Sequence, residues 1–487
     1  MILVAVCVFL LLIYIASILT NPFSRFSIVQ KPVQVRIQNG RIAALDTKHR
    51  IIVRNNVAWV IFAWLKSGFH VLETRYVSSP KSSARSVDGI IQDIHAYRYN
   101  PKKLLLISGD HFNTLFVRNL GVFYYPLLDQ KIPSSPADWL DRQTVYLETL
   151  AFALAVFKER PRLATTIVTT AAYGATCVNF YAYPSDSLYG MLYALATLSG
   201  LENSRPANYE SGVIHQLGTK QAATNLAEQY NTLLVKLYAD YRHTVYDESS
   251  GLIQKSIHLS GAKDITRREC AFYDNVIFWK TTELAMKLDL ITHDQAWLDK
   301  LKKRILKRYW LQGEGYFLED LSEAGVSGKY YSSDWLVVLF TGFLDPHKPS
   351  EQQYFASSVN YIEEQGIDQP FAIKYQQNRR SERQFLPVRL AVAAYGGDAI
   401  WSFWGMEYLK VLLILFETTQ QKRYLVRADY HIEKYKAAML RDGGFPEVYD
   451  NQGKLLQTAF YRSIRQTGWV IGFEQVLAMR KSIKTSS

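Results

Sequence analysis

The sequence predicts an all-α protein, a stack of helical hairpins preceded by a small β element and an N-terminal transmembrane helix. Three observations carry this. From about residue 112 to the C-terminus, apolar side chains recur at helical spacing in roughly a dozen segments. No regular alternation of strand and helix separates them, as a doubly wound sheet would require. Met1 to Leu19 contains no charged side chain at all, close to the roughly 20 apolar residues that span a bilayer.

The apolar N-terminal run lacks the basic flank that opens a secretory signal, so it is read as an uncleaved anchor over residues 1–20. Arg25, Lys31, Arg36 and Arg41 follow it, which by the positive-inside rule puts the body on the cytoplasmic side. Export stays open, because long domains translocate largely regardless of charge. Residues 21–104 form an accessory segment in which Val33, Val35 and Ile37, then Ile51 and Val53, suggest short strands. Residues 105–487 form the main domain, with helical patterns at 112–128, 136–158, 184–200, 217–242, 272–288 and 294–309. Further ones lie at 332–343, 350–365, 383–395, 399–418, 422–439 and 463–480. Alternate connections are long and rich in Gly, Asp, Tyr and Arg, and such loops on a rigid scaffold are where sites tend to form.

With 48% hydrophobic residues and 21% charged, the chain is globular rather than disordered. Aromatic residues make up 14%, enough both to fill a helical core and to line a cleft that stacks sugar rings. The net charge of +12 raises the question of an anionic partner. The basic residues are scattered, apart from Lys302, Lys303, Arg304, Lys307 and Arg308, and none forms a nucleic-acid reading helix. That cluster reads as a solvated helix face, with attraction to an anionic membrane second. Cys7, Cys177 and Cys270 match no metal or redox spacing. Phosphate-loop, His-cluster and nucleophile-elbow patterns are absent from the sequence, so no cofactor or metal is expected.

Two stretches carry the chemistry. Gly443-Gly444-Phe445-Pro446-Glu447-Val448-Tyr449-Asp450 is followed by Tyr461 to Trp469, with Gln466 within it; Lys263-Asp264-Ile265-Thr266-Arg267-Arg268 leads into Tyr273-Asp274-Asn275 and Trp279. They resemble the six-hairpin (α/α)6-toroid glycosidases, closest to the glucosidase domain of glycogen debranching enzymes and to glucoamylase- and trehalase-like proteins. The resemblance implies an (α/α)6 toroid with Glu447 as general base, Asp264 or Asp274 as general acid, and Asn275, Trp279, Gln466 and Trp469 around the sugar. Weaker matches imply substrate contacts at Arg118, Asn119, Asp186, Asp334 and Trp401, with Asn119 standing where the family has an Asp. As a helix-start residue, Asp274 also suits an N-cap.

The implied activity is inverting hydrolysis of an α-glucoside or related oligosaccharide or polysaccharide. It needs one protonated carboxyl above the glycosidic oxygen and one carboxylate beyond a water, about 6.5 to 9.5 Å away. Two alternatives stand beside it: a carbohydrate-binding or inactive toroid, to which Asn119 points, and a lyase, epimerase or phosphorylase on the same fold. The Arg379, Arg380 and Arg383 loop would suit a uronate-binding lyase.

Overall fold

The computed structural model describes residues 2–20, 36–38, 41–44, 51–76, 81–98, 114–128, 136–170, 174–179, 182–202, 217–259, 263 and 265–483. The helices in chain order are α1 (Ile2–Thr20), α2 (Val57–Tyr76), α3 (Val87–Arg98), α4 (Pro136–Glu159), α5 (Ser187–Leu198), α6 (Leu217–Gln229), α7 (Asn231–Val245) and α8 (Phe272–Lys287). Then come α9 (Gln295–Tyr309), α10 (Glu323–Ser327), α11 (Val337–Thr341), α12 (Pro349–Glu364), α13 (Leu386–Val392), α14 (Ser402–Thr419), α15 (Lys422–Asp442) and α16 (Val470–Ser482).

Two kinds of helix alternate, and burial separates them. In α9 the buried residues are Leu298, Leu301, Ile305 and Tyr309, one stripe at helical spacing under a polar face. By contrast, every residue of α5 and α11 is buried, and only Lys287 and Glu283 of α8 escape burial. A helix apolar or occluded on all sides must lie inside others. Those inner elements close a ring. The 3-10 turn Val117–Leu120 packs on α5, α5 on α8, α8 on α11, α11 on α14 and α14 on α16; α16 then meets the turn Tyr125–Leu128. Among the described residues this gives six inner positions, with α4, α9, α12 and α15 packed outside, an (α/α)-toroid-like arrangement.

The connections decide where a site can form. Inner helices leave for outer ones by short links such as 288–294, 342–348 and 420–421, which make neighbours antiparallel. The return links, 160–186, 246–271, 310–336, 365–401 and 443–469, are long and therefore all emerge at one rim. Three small antiparallel pairs stiffen that rim: Tyr246–Asp247 with Leu252–Ile253, Trp310–Leu311 with Tyr316–Phe317, and Ile400–Trp401 with Val448–Tyr449. A four-stranded sheet joins Thr166–Thr170 to Gly174–Val178, flanked by Leu115–Phe116 and by Ile52–Val53, the last pairing in parallel. Residues 112–128, expected as helix, hold a strand and two 3-10 turns where described, because Gly121 and Pro126 interrupt them. The accessory segment carries two helices, α2 and α3, beside its short strands.

The N-terminal reading is corrected. Among the described residues no helix is long and apolar enough to cross a membrane. Instead α1 packs on α2, burying Ile13 and setting the Tyr14 ring 5.8 Å from Phe69. The expected transmembrane anchor, and the membrane-attached location inferred from it, are therefore withdrawn.

Candidate active site

The rim brings together side chains from five of the long connections. Glu447 is placed by a loop of unusual tightness. Gly443 ends α15 at φ 62°, and a Cβ at Gly444 would lie 2.6 Å from the Arg465 carbonyl oxygen, so neither position accepts another residue without strain. The loop then pairs with the strand leading to α16, Phe445 N–H donating to Arg465 (2.7 Å) and Glu447 N–H to Ile464 (3.0 Å). On the other side Ser402, at the start of α14, donates from both its N–H and its hydroxyl to the Glu447 carbonyl. The backbone of residue 447 is thus fixed on both flanks.

Its side chain is buried and accepts hydrogen bonds from two tyrosine hydroxyls, Tyr395 to Oε1 at 2.9 Å and Tyr461 to Oε2 at 3.3 Å. Beside it runs an aromatic wall. Trp401 stacks on Trp469 at 5.7 Å, Trp469 on Phe123 at 4.7 Å, and Tyr375 and Tyr395 tilt onto Trp401 at 4.9 and 4.8 Å. The Trp401 indole N–H donates to the Tyr395 carbonyl (2.7 Å), which fixes its plane.

Asp274 lies in the first turn of α8, fully buried. The turn before α5 supplies Ser185, whose hydroxyl donates to Asp274 Oδ1 at 2.5 Å. Arg268 reaches Asp274 Oδ2 at 3.7 Å and Asp334 Oδ2 at 2.5 Å, bridging two carboxylates. Burial raises the Asp274 carboxyl to about 6 despite Arg268 and Ser185, and the neighbouring Asp186 and Asp334 push the same way. A carboxyl with that value holds its proton in weakly acidic solution. Asp186, also buried, takes Arg118 at 3.5 Å and the Tyr273 hydroxyl at 3.3 Å. Tyr375 donates to Asp334 at 3.5 Å and so joins this acidic arc to the aromatic wall. In the ring of six, α8 and α16 stand three places apart, so the segments carrying Asp274 and Glu447 enter the rim from opposite sides.

The other expected residues fall in different places. Gln466 is buried beside the Glu447 loop, where it bridges Phe445. Asn119 is buried in the turn that packs on α5. Asn275 holds α8 to its surroundings: its amide donates to Ala271 (2.9 Å) and Tyr309 (2.8 Å), and its oxygen accepts from Ile253 N–H. Trp279 lies in the contact with α9, donating to Leu298 at 3.2 Å and meeting Phe343 edge-on. Asp264 lies outside the described residues. Arg268 and Tyr461, which stand in the quoted stretches with no role assigned to them, join the cluster together with Ser185, beside Asp186, and with Tyr375 and Tyr395, which sequence reasoning missed.

Behind the rim, Glu319 accepts from Lys263 (2.6 Å), Arg383 (2.7 Å) and Gln376 (2.9 Å). Burial would raise its pKa, but Lys263 and Arg383 outweigh it and hold the carboxylate at about 2. A depressed folded value contributes stability that is complete above the ordinary carboxylate range and is lost as pH falls toward about 2. The melting temperature should therefore drop steeply below about pH 4.5. Glu319→Gln should flatten that slope; an unchanged slope would show that the triad contributes nothing to it.

No protein-family model matches the chain, and no curated protein matches it. Solved structures do. The fold is similar to a rhamnosidase from Klebsiella oxytoca with rhamnose bound, at 10% identity and TM-score 0.49, over 84% of this chain and 66% of that one. A glucoamylase from Saccharomycopsis fibuligera matches at 9% identity and TM-score 0.48, over 85% and 99% of the two chains. A cellobiose 2-epimerase from Spirochaeta thermophila matches at 11% and 0.46, over 82% and 99%. At these identities the likeness is one of fold, and no residue role is transferred from it.

Proposed function

We propose that this chain is a carbohydrate-active enzyme, and specifically an inverting glycoside hydrolase with Glu447 as general base and Asp274 as general acid. The observation that carries the reading is the pair of buried carboxyls entering one rim from opposite sides, one set against an aromatic wall and the other held near 6. The two environments suit the two roles. Glu447 receives two hydroxyl donors, which favour its ionised form and leave it able to take a proton from water. Asp274 is desolvated, and an acid must carry its proton into the reaction. Trp401 and Trp469 belong to an aromatic wall against which a sugar ring can pack, while Arg118 with Asp186 supplies hydrogen-bonding groups for its hydroxyls.

In this scheme Asp274 protonates the leaving oxygen as the glycosidic bond breaks. Glu447 deprotonates the water that adds to the opposite face of the anomeric carbon. The product then carries the inverted anomer. The test is proton NMR of the first product formed from α-linked oligosaccharides. Inversion supports the reading and retention sinks it. The pH profile gives a second check: because the acid works protonated, kcat/KM should fall as pH rises through about 6. Asp274→Asn should abolish the residual pH dependence on that side along with most of the rate; a basic limb that persists unchanged in the variant would remove Asp274 from the role.

A further inference from the structure

Away from the ring centre, the described residues form a cleft of about 900 Å³ between the Tyr246–Ile253 hairpin and the C-terminal turn of α9. Four of its lining residues are cationic: Lys255, Arg304, Lys307 and Arg308. The one carboxylate in the lining, Asp247, is occupied by Ser249 and Ser250, which donate to it from hydroxyl and backbone. Basic residues in a last helical turn suit the helix dipole, and that accounts for Lys307 and Arg308 alone. It does not account for Lys255 and Arg304, which other elements hold in place. Lys255 is tied to the Leu321 carbonyl at 3.0 Å and Arg304 to the Ser250 carbonyl at 3.0 Å. The hairpin turn is shaped around Arg304, since a Cβ at Gly251, where φ is 66°, would fall 1.2 Å from its Nη1. Lys307 and Arg308 are exposed and make no ion pair or hydrogen bond among the described residues.

The cleft and the candidate active site draw on one stretch of chain. Cys270 belongs to the lining of the cleft, while Arg268 and Asp274, two and four residues away, belong to the buried carboxyl cluster. One wall of the cleft belongs to the 246–271 connection, and the other is the end of α9, from which the 310–336 connection leaves. The rim carries another concentration of like charge: burial and the nearby Arg75 and Arg465 push the Arg462 guanidinium below its ordinary value.

We propose that the cleft is a subsite for acidic groups on an extended carbohydrate, so that the substrate of the reading above is an anionic glycan rather than a neutral glucoside. The inference rests on that reading for the word substrate, and on the cleft alone for the charge preference. Carboxylate and sulfate esters share the chemistry it would recognise. Their sources separate in the assay.

The full chain carrying Glu447→Gln, to prevent turnover, would be titrated calorimetrically with an oligogalacturonate, a heparin-derived hexasaccharide and neutral maltohexaose. At least one acidic ligand should bind ten-fold or more tightly than maltohexaose, and which one does so identifies carboxylate or sulfate. Its affinity should weaken as salt rises. Adding Lys307→Glu and Arg308→Glu, both exposed positions that leave the core untouched, should abolish that preference. Equal affinity for the neutral ligand overturns the proposal, as does an acidic preference that survives charge reversal or free sulfate binding as tightly as the oligosaccharide. Failure of the hydrolase reading looks different: the wild type would turn over no glycan, while the acidic preference and its loss on charge reversal persisted.

Discussion

Glu447→Gln is expected to lower kcat by about 10² to 10⁴ with little change in melting temperature, the magnitude typical of losing a general base. The substitution keeps the shape of the side chain and one accepting oxygen, while the new amide nitrogen can donate to the other tyrosine once that hydroxyl turns away, so the packing of the 443–449 loop is largely preserved. What it removes is the capacity to take a proton. A residue that only fixed the loop would behave in the opposite way, because its worth would lie in those two hydrogen bonds, each about 1 kcal/mol. The paired variants Tyr395→Phe and Tyr461→Phe separate the roles further. Each removes one donor to the carboxylate while leaving the carboxylate itself in place, so each should cost less rate than Glu447→Gln. The measurement is a pH–rate series beside thermal unfolding for the three variants. Full turnover in Glu447→Gln would end its assignment as base, whatever the fold's other likenesses.

Outer helices were legible in the sequence because they obey a rule that sequence displays: α9 buries Leu298, Leu301, Ile305 and Tyr309 and nothing between them. Inner helices were legible as apolar runs but not as surfaces. A helix occluded on every side has no polar face from which to deduce where Asn275 or Trp279 points, and the structure gives both of them partners in helix contacts. The sheet around 166–178 escaped notice although Thr165, Thr166, Ile167, Val168, Thr169 and Thr170 form a β-branched run that pairs with the nearby 174–178; only its outer strands, at Leu115 and Ile52, lie far away in the chain. The tight loop that carries Glu447 was legible from Gly443, Gly444 and Pro446, since residues that bend a loop advertise themselves locally. The setting of Asp274 was not, because Ser185 and Asp334 come from connections to other inner helices. An uncharged run of apolar residues at the N-terminus was misread for a related reason: composition alone does not say that α1 will turn Ile13 and Tyr14 against α2.

Arg268→Met should destabilise the fold by about 3 to 5 kcal/mol, the usual cost of removing one partner from a buried ion pair. The guanidinium is enclosed and is the only group given to both Asp274 and Asp334 among the described residues; without it, two carboxyls face each other with no cation between them. The molecule has one cheap escape, which is to keep a proton on Asp274. Arg268 lowers the Asp274 pKa against burial, so its loss should drive that value above about 6. Because the proton is then bound more tightly in the folded state than in the unfolded one, stability should fall as pH rises through the new, higher value. The basic limb of activity should move upward with it. Two curves therefore need to shift together in the variant: the melting temperature against pH and kcat/KM against pH. A variant that is merely less stable, with the limb still near 6, would show that Arg268 holds the rim together without setting the proton affinity of Asp274.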